Sequence, residues 1–134
     1  MTLHILNNKQ PDLQKAIELY TDLGWGQPQN YNLEIWQKAF NNSHFITAYE
    51  ENELIGFVRL ISDGFHDTQV LEFAVSPKHQ HQGTGKALLN ALKTNWGHTD
   101  IYCNTLPKTA DFFLNNGFNK NRLTAVSFDN AQNQ

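Results

Sequence analysis

Apolar positions change their spacing several times along the chain, and each change marks an element. Residues 2–6 alternate weakly and predict a short first strand. Pro11 and Asp12 then open a segment with Leu13, Ile17 and Tyr20 at helical spacing, which Gly24 ends. Gly24, Gly26 and Pro28 make 24–30 a loop. A second helix is predicted from about 33 to 40, with Leu33, Trp36 and Phe40 on one face, broken by Asn41, Asn42 and Ser43. The period then shortens to two. Residues 45–49 and 54–61 are rich in β-branched and aromatic side chains, with a tight turn at 51–53 between them. Ser62, Asp63 and Gly64 form the next turn, and 69–75 is a third strand of this meander, stopped by Pro77. Residues 85–96 are helical, with Leu88, Leu89, Leu92 and Trp96 on the apolar side, and 101–103 form a short buried strand. Thr105 and Pro107 begin a final helix holding Ala110, Phe113 and Leu114, which Gly117 ends. Residues 123–128 alternate again and predict a closing strand. The fold class expected from this order is α/β (α+β), a mixed sheet with helices on both faces.

Composition narrows the class of molecule. The chain has 134 residues, no repeat and no linker-like stretch, so a single domain over 1–134 is expected. Hydrophobic residues make up 40%, enough for a core, and only 17% are charged. The low mean hydropathy of -0.54 therefore comes from amides, with 16 Asn and 10 Gln. Lys and Arg number 10 against 13 Asp and Glu, a net charge of -3 without any basic run. That balance argues against nucleic acid as a partner, because such affinity rests on neutralising phosphates. No apolar stretch approaches the length of a membrane span, and the start, MTLHILNNKQ, lacks the basic-then-apolar layout of a signal peptide. One cysteine, Cys103, permits no internal disulfide, which fits a reducing cytoplasm. A soluble cytoplasmic domain is expected.

The most informative stretch runs from Val70 to Leu89: a strand, a polar loop with two glycines, and a helix. At a helix start the first four backbone N–H groups lack intrahelical partners and the dipole is positive. Glycines just before it let the backbone approach a ligand and aim several N–H groups at one place, a geometry that binds phosphate. Lys86 in the first turn is unfavourable on dipole grounds by roughly 0.3–1 kcal/mol, and an anion at that end would compensate it. The competing explanation is an ordinary strand-to-helix turn with a solvated lysine. Neither the P-loop pattern nor the dinucleotide fingerprint is present, since Leu88 stands where the third glycine of the latter would be.

Here the sequence resembles the GNAT superfamily of acetyl-CoA-dependent N-acetyltransferases. The family's [Gln/Arg]-x-x-Gly-x-[Gly/Ala] signature is matched by Gln80, Gly83 and Gly85, after the strand end Phe73-Ala74-Val75-Ser76-Pro77. A second landmark, an aromatic pair followed by Gly-Phe, is matched by Phe112-Phe113 and Gly117-Phe118. The resemblance covers nearly the whole chain. It implies a mostly antiparallel sheet that splays around a coenzyme A cleft, and acetyl transfer to a primary amine of a small molecule or peptide. It also implies roles for individual residues. The amides of Gln80, His81, Gln82, Gly83, Thr84 and Gly85, with Lys86, would hold the pyrophosphate. Phe73, Ala74 and Val75 would pair with the pantetheine arm, and Asn104 would contact that arm. Phe113, or else Phe112, stands where many members carry a Tyr that protonates the leaving thiolate, and Phe cannot donate a proton. Trp25 and Tyr31 lie in the region that resembles the acceptor lid. Family members are often homodimers.

Glu72 is the candidate general base: in an unbulged strand it shares a face with Val70 and Ala74, between small apolar neighbours. Contact with a cationic substrate and a purely structural role are the other readings open to it. A non-catalytic acyl-CoA-binding or sensing module of the same fold is the alternative function. His79 and His81 form His-x-His but lack neighbouring Cys or carboxylate ligands, so no metal is expected. Cys103 fits core packing better than a reactive thiol.

Overall fold

The helix starts show how local chemistry builds the frame. The Asp12 side chain accepts the Lys15 amide at 3.1 Å, and Asn32 accepts the Ile35 amide at 3.1 Å, so each caps a helix that begins one residue later. The computed structural model describes residues 2–130. In chain order the elements are β1 (Leu3–Asn7), α1 (Leu13–Asp22), a 3₁₀ turn (Pro28–Asn30), α2 (Leu33–Asn41), β2 (His44–Glu50), β3 (Glu53–Ser62), β4 (Asp67–Val75), a second 3₁₀ turn (Pro77–His79), α3 (Thr84–Trp96), β5 (Asp100–Cys103) and α4 (Pro107–Leu114). The five strands lie side by side in the order β1-β2-β3-β4-β5. All neighbours are antiparallel except β4 and β5, which run parallel. The mixed sheet with helices on both faces expected from the element order is present, and it is mostly antiparallel, as the resemblance implies.

Each face of the sheet carries its own core. On one, Leu88, Leu89 and Leu92 of α3 pack on Ile46, Val58, Leu60 and Val70, with Phe113 of α4 at the margin. On the other, Leu13, Ile17 and Tyr20 of α1 and Phe40 of α2 pack on Phe45, Phe57 and Ala74. Within α2 the expected apolar face holds at Trp36 and Phe40, but Leu33 in the first turn is 47% exposed.

Two bulges decide which side chains meet which core. Ala48 pairs with Gly56 and Tyr49 with Leu54, which leaves Ile55 of β3 as an extra residue. Arg59 pairs with Glu72 and Leu60 with Val70, which leaves Leu71 of β4 as another. An extra residue shifts the alternation of everything beyond it to the opposite face. Val70 and Phe73 therefore pack on the α3 side. Ala74 and Glu72, which meets Tyr20, lie on the α1 side. The unbulged expectation that Glu72 shares a face with both Val70 and Ala74 holds for Ala74 alone.

The closing strand expected over 123–128 is not formed; from Asn119 to Asn130 the chain has no strand or helix. Leu123, Val126 and Phe128 are 77%, 92% and 97% exposed. The alternating pattern is real, but no strand in the described residues stands beside it, and an unpaired strand has no ladder to fix it.

The β3–β4 turn is held by one carboxylate. Asp63 accepts the amides of His66 at 2.7 Å, Phe65 at 2.9 Å and Asp67 at 3.1 Å. These bonds to the ionised form hold its pKa down to about 2, from an ordinary 3.8. A depressed carboxyl pKa contributes stability that is present above about 4 and lost as pH falls through about 2. An NMR titration should show the amide signals of Phe65, His66 and Asp67 moving together with a midpoint near 2, not near 4.

Candidate active site

The loop between β4 and α3 is built to leave its amides free. Gly83 caps α3 at φ 88° and His81 sits at φ 63°, both left-handed. For His81, a residue with a Cβ, that conformation costs roughly 1 kcal/mol, the kind of strain that gathers at functional positions. Side-chain amides brace the loop: Gln80 Nε2 donates to the Val75 carbonyl at 3.1 Å and Gln82 Nε2 to that of Lys78 at 3.2 Å. The Ala87 amide is the first in the helix to find a backbone partner, the Gly83 carbonyl. Among the described residues, none of the backbone N–H groups from Gln80 to Lys86 meets an acceptor. Lys86 is exposed and Thr84 is buried.

The two glycines do different jobs. A Cβ on Gly83 would meet nothing within 4 Å, so the positive φ is what requires glycine there. A Cβ on Gly85 would lie 3.4 Å from the Phe112 ring and 3.8 Å from Val75. Gly85 thus seats α4 against the start of α3.

Beside this loop the sheet opens. β5 pairs with β4 only from Asp67–Asp100 to Val70–Cys103 and ends there. Among the described residues, Glu72 to Val75 consequently have a strand neighbour on the β3 side alone. That bare edge holds Phe73, Ala74 and Val75 and leads straight into the free amides. Asn104 follows β5 and is exposed. Phe113, by contrast, is 7% exposed, with Phe73, Phe112 and Phe118 rings 5.2–5.4 Å away. It is a core residue, and Phe112 is the ring that reaches the loop.

Glu72 sits in a bonded cluster. Arg59 grips it with two bonds of 2.6 Å, Nε to Oε1 and Nη2 to Oε2, while Tyr20 donates to Oε1 at 2.6 Å. The third guanidinium nitrogen donates to Ser43 Oγ at 3.1 Å. The pair is largely buried, at 11% and 17% side-chain exposure. Arg59 also lies over the Trp36 ring at 5.3 Å and the Phe40 ring at 5.8 Å. Burial works against the charge on Arg59, but the hydrogen bonds and opposite charge of Glu72 outweigh it and raise the guanidinium pKa. Burial, then the Glu72 charge, pushes the Tyr20 phenol far above its ordinary range, so it stays a donor. Both Glu72 oxygens are engaged, and counting lone pairs leaves one acceptor position, on Oε2.

Trp25 and Tyr31 belong to the same cluster. Trp25 and Tyr31 each stack on Tyr20 with centroids 5.7 Å away, and the Tyr31 hydroxyl donates to the Trp25 carbonyl. Trp25 remains 43% exposed. Tyr20 and Arg59 are absent from the candidate residues in the sequence. Arg59 carried a signal, a lone charge inside the apolar run from Leu54 to Ile61.

The remaining candidates fall elsewhere. His79 is buried, with Nε2 3.6 Å from Glu50 Oε2 and Nδ1 without a partner among the described residues, whereas His81 is exposed. The two lie in different environments. Among the described residues, His66, Asp67 and Asp100 bring possible ligand atoms within 4.8 Å of one another on an exposed turn. Burial pushes the Cys103 thiol up to about 11, away from reactivity. No helix among the described residues is long and apolar enough to cross a membrane.

Known proteins share this fold. An uncharacterized N-acetyltransferase, ycf52, of Gracilaria tenuistipitata var. liui is 29% identical over 127 residues, 88% of this chain and 68% of that protein. A GNAT-family acetyltransferase from Streptococcus pneumoniae TIGR4 superposes with a TM-score of 0.80 at 23% identity, over 97% of this chain and 99% of that one. A probable acetyltransferase from Staphylococcus aureus gives 0.78 at 18% identity, over 96% and 100%. The model of the acetyltransferase (GNAT) domain matches residues 41–120. That span runs from the end of α2 past α4 and takes in the free-amide loop and the open edge of β4; this chain belongs to the GNAT acetyltransferase family.

Proposed function

We propose that this chain transfers an acetyl group from acetyl-CoA to a primary amine of a small molecule or peptide, by direct attack. The observation that carries this reading is the run of amides from Gln80 to Lys86 without acceptors, at the N-terminus of α3 and beside the open edge of β4. Those amides, with Lys86, suit a pyrophosphate, and the edge at Phe73, Ala74 and Val75 suits an extended amide-bearing arm, with Asn104 opposite. Acetyl-CoA supplies the activated thioester: the amine forms a C–N bond, the C–S bond breaks, and the amine proton leaves. Glu72 orients the amine through its remaining acceptor position on Oε2. With both oxygens engaged by Arg59 and Tyr20, it positions and does not by itself act as a free base; the proton passes to water. Trp25 and Tyr31 line the acceptor side. A cytoplasmic setting fits the single, unreactive cysteine.

Calorimetry on the purified chain should show coenzyme A binding that weakens with salt and in Lys86→Glu; no binding would end this reading. In a thiol-release assay with a panel of amines, Glu72→Gln should lower kcat/KM by about 10–100-fold, the worth of one or two well-placed hydrogen bonds. Its pH profile should keep its shape, because a positioning group is not the titrating one; loss of the acidic limb would make Glu72 the base. A second reading has its own support, since neither Phe112 nor Phe113 carries a hydroxyl to protonate a thiolate. A non-catalytic acyl-CoA-binding module would bind acetyl-CoA and release no thiol with any amine.

A further inference from the structure

We propose that the acceptor is a primary amine joined by a short alkyl chain to a flat, uncharged aromatic ring, the ring stacking on Trp25 and Tyr31 while Glu72 holds the nitrogen. Where the amine lies rests on the transferase reading above; what it is attached to is read from the rings. One residue joins the two halves of this site. Tyr20 donates its hydroxyl to Glu72 Oε1 at 2.6 Å and turns its ring to Trp25 and Tyr31, each with centroids 5.7 Å away. The carboxylate and the two rings are therefore one side chain apart. Tyr31 also feels Glu72 itself: burial first, and then the charge of that carboxylate, raises its phenol pKa.

The indole of Trp25 is exposed without being loose. Trp25 is 43% exposed. Yet its amide donates to the Tyr20 carbonyl at 2.9 Å, and its carbonyl accepts the Tyr31 hydroxyl. Tyr31 is held in turn by the Trp36 ring, which meets it edge-on at 5.5 Å. A large ring fixed in place with much of its surface in water is preorganised for stacking, because little freedom remains to be lost when a ligand lands on it. Flat rings attract one another beyond the apolar area they bury, and puckered ones do not.

Charge decides among the amines that a carboxylate could orient. Residues 23–33, which carry both rings, include no Asp, Glu, Lys, Arg or His. Glu72 is matched by Arg59 through two bonds of 2.6 Å, and the remaining guanidinium contact goes to Ser43, so the pair has no spare charge. A polyamine brings a second ammonium that would need its own carboxylate. A phosphorylated amino sugar brings an anion that would need a free cation. Desolvating either charge without a partner costs more than stacking returns. An uncharged ring asks for neither, and aromatic faces with one convergent polar group are what such a ligand needs.

Calorimetry on the full chain, with and without coenzyme A, compares phenylethylamine with cyclohexylethylamine, which matches it in length and apolarity but has a puckered ring. The flat ring should bind about three- to tenfold tighter, the worth of aromatic stacking beyond area. Trp25→Leu should bring the two amines within about twofold of each other, while Trp25→Phe, which keeps a flat ring, should retain most of the preference. In thiol release, phenylethylamine should exceed spermidine and glucosamine phosphate in kcat/KM by about tenfold or more. A flat-ring preference that Trp25→Leu abolishes, with no thiol released from any amine, supports the ring site and strikes the transferase reading alone. Equal affinities for the two amines, binding of neither, a preference that Trp25→Leu leaves intact, or faster turnover of spermidine or glucosamine phosphate overturns the proposal.

Discussion

Arg59→Ala should destabilise the protein by about 3 kcal/mol, the largest single-residue effect expected outside the apolar core. Removing one partner of a buried ion pair leaves the other charge without compensation, at a typical cost of about 3–5 kcal/mol. The lower end applies because Arg59 and Glu72 keep 11% and 17% of their side-chain surface in water. The same change strips the cation from the Trp36 and Phe40 rings and the donor from Ser43. Urea unfolding measures it, and a midpoint shift worth less than about 1 kcal/mol would show that water already screens the pair. Arg59→Met/Glu72→Leu is the informative companion. Replacing both charges with apolar side chains of similar volume removes the uncompensated ion, so the double variant should recover most of the loss. If stability returns but thiol release does not, the pair is retained for its part in catalysis and not for the fold.

The two loop glycines should respond to alanine with opposite signs. Gly83→Ala forces a Cβ into a left-handed backbone at φ 88°, costing roughly 1–2 kcal/mol although nothing crowds the new atom. Relaxing that strain moves the free amides, so coenzyme A affinity should fall about tenfold or more. Gly85 lies inside α3 with helical φ, and its Cβ would find the Phe112 ring at 3.4 Å, an ordinary contact distance. Alanine there should therefore stabilise by about 0.5–1 kcal/mol, the usual gain of Ala over Gly in a helix. Thermal unfolding of the two variants with and without coenzyme A settles both. Equal losses in the two would mean that the positive φ is not what fixes glycine at position 83.

How far the fold was legible depends on whether the cause of each element was local. Asp12, Pro107, Gly83 and Gly117 act within a few residues of themselves, and the elements they start or stop lie where the sequence places them. The loop from Gln80 to Lys86 is local too, since Gly83 and the helix start fix its conformation within a few residues. What was hidden depended on pairing between strands. Period-two counting runs straight through Leu71, so it put Glu72 beside Val70; only the register against β3 reveals the extra residue. The same register sets Arg59 opposite Glu72, and no spacing rule announces a partner thirteen residues away. The resemblance places Phe113 at a position facing the leaving thiolate, whereas its burial follows from the Phe73 and Phe118 rings around it. The pattern in 123–128 states only that the segment suits a strand. Whether a ladder is available to receive it is a property of the rest of the molecule.

The unpaired Leu71 has a consequence for how this sheet tolerates change. From Glu72 to Val75 the side chains keep their layers because Leu71 is a supernumerary residue left out of the ladder against β3, so the Glu72 carboxylate and the open edge of β4 are set by a residue count and not by identity. A substitution at Leu71 keeps that count, and a side chain 39% exposed tolerates many. Deleting it would leave Val70 and Glu72 as consecutive rungs opposite Leu60 and Arg59, on the opposite layers that strict alternation demands, so Glu72 would still meet Tyr20 and Phe73 would stay in its own core.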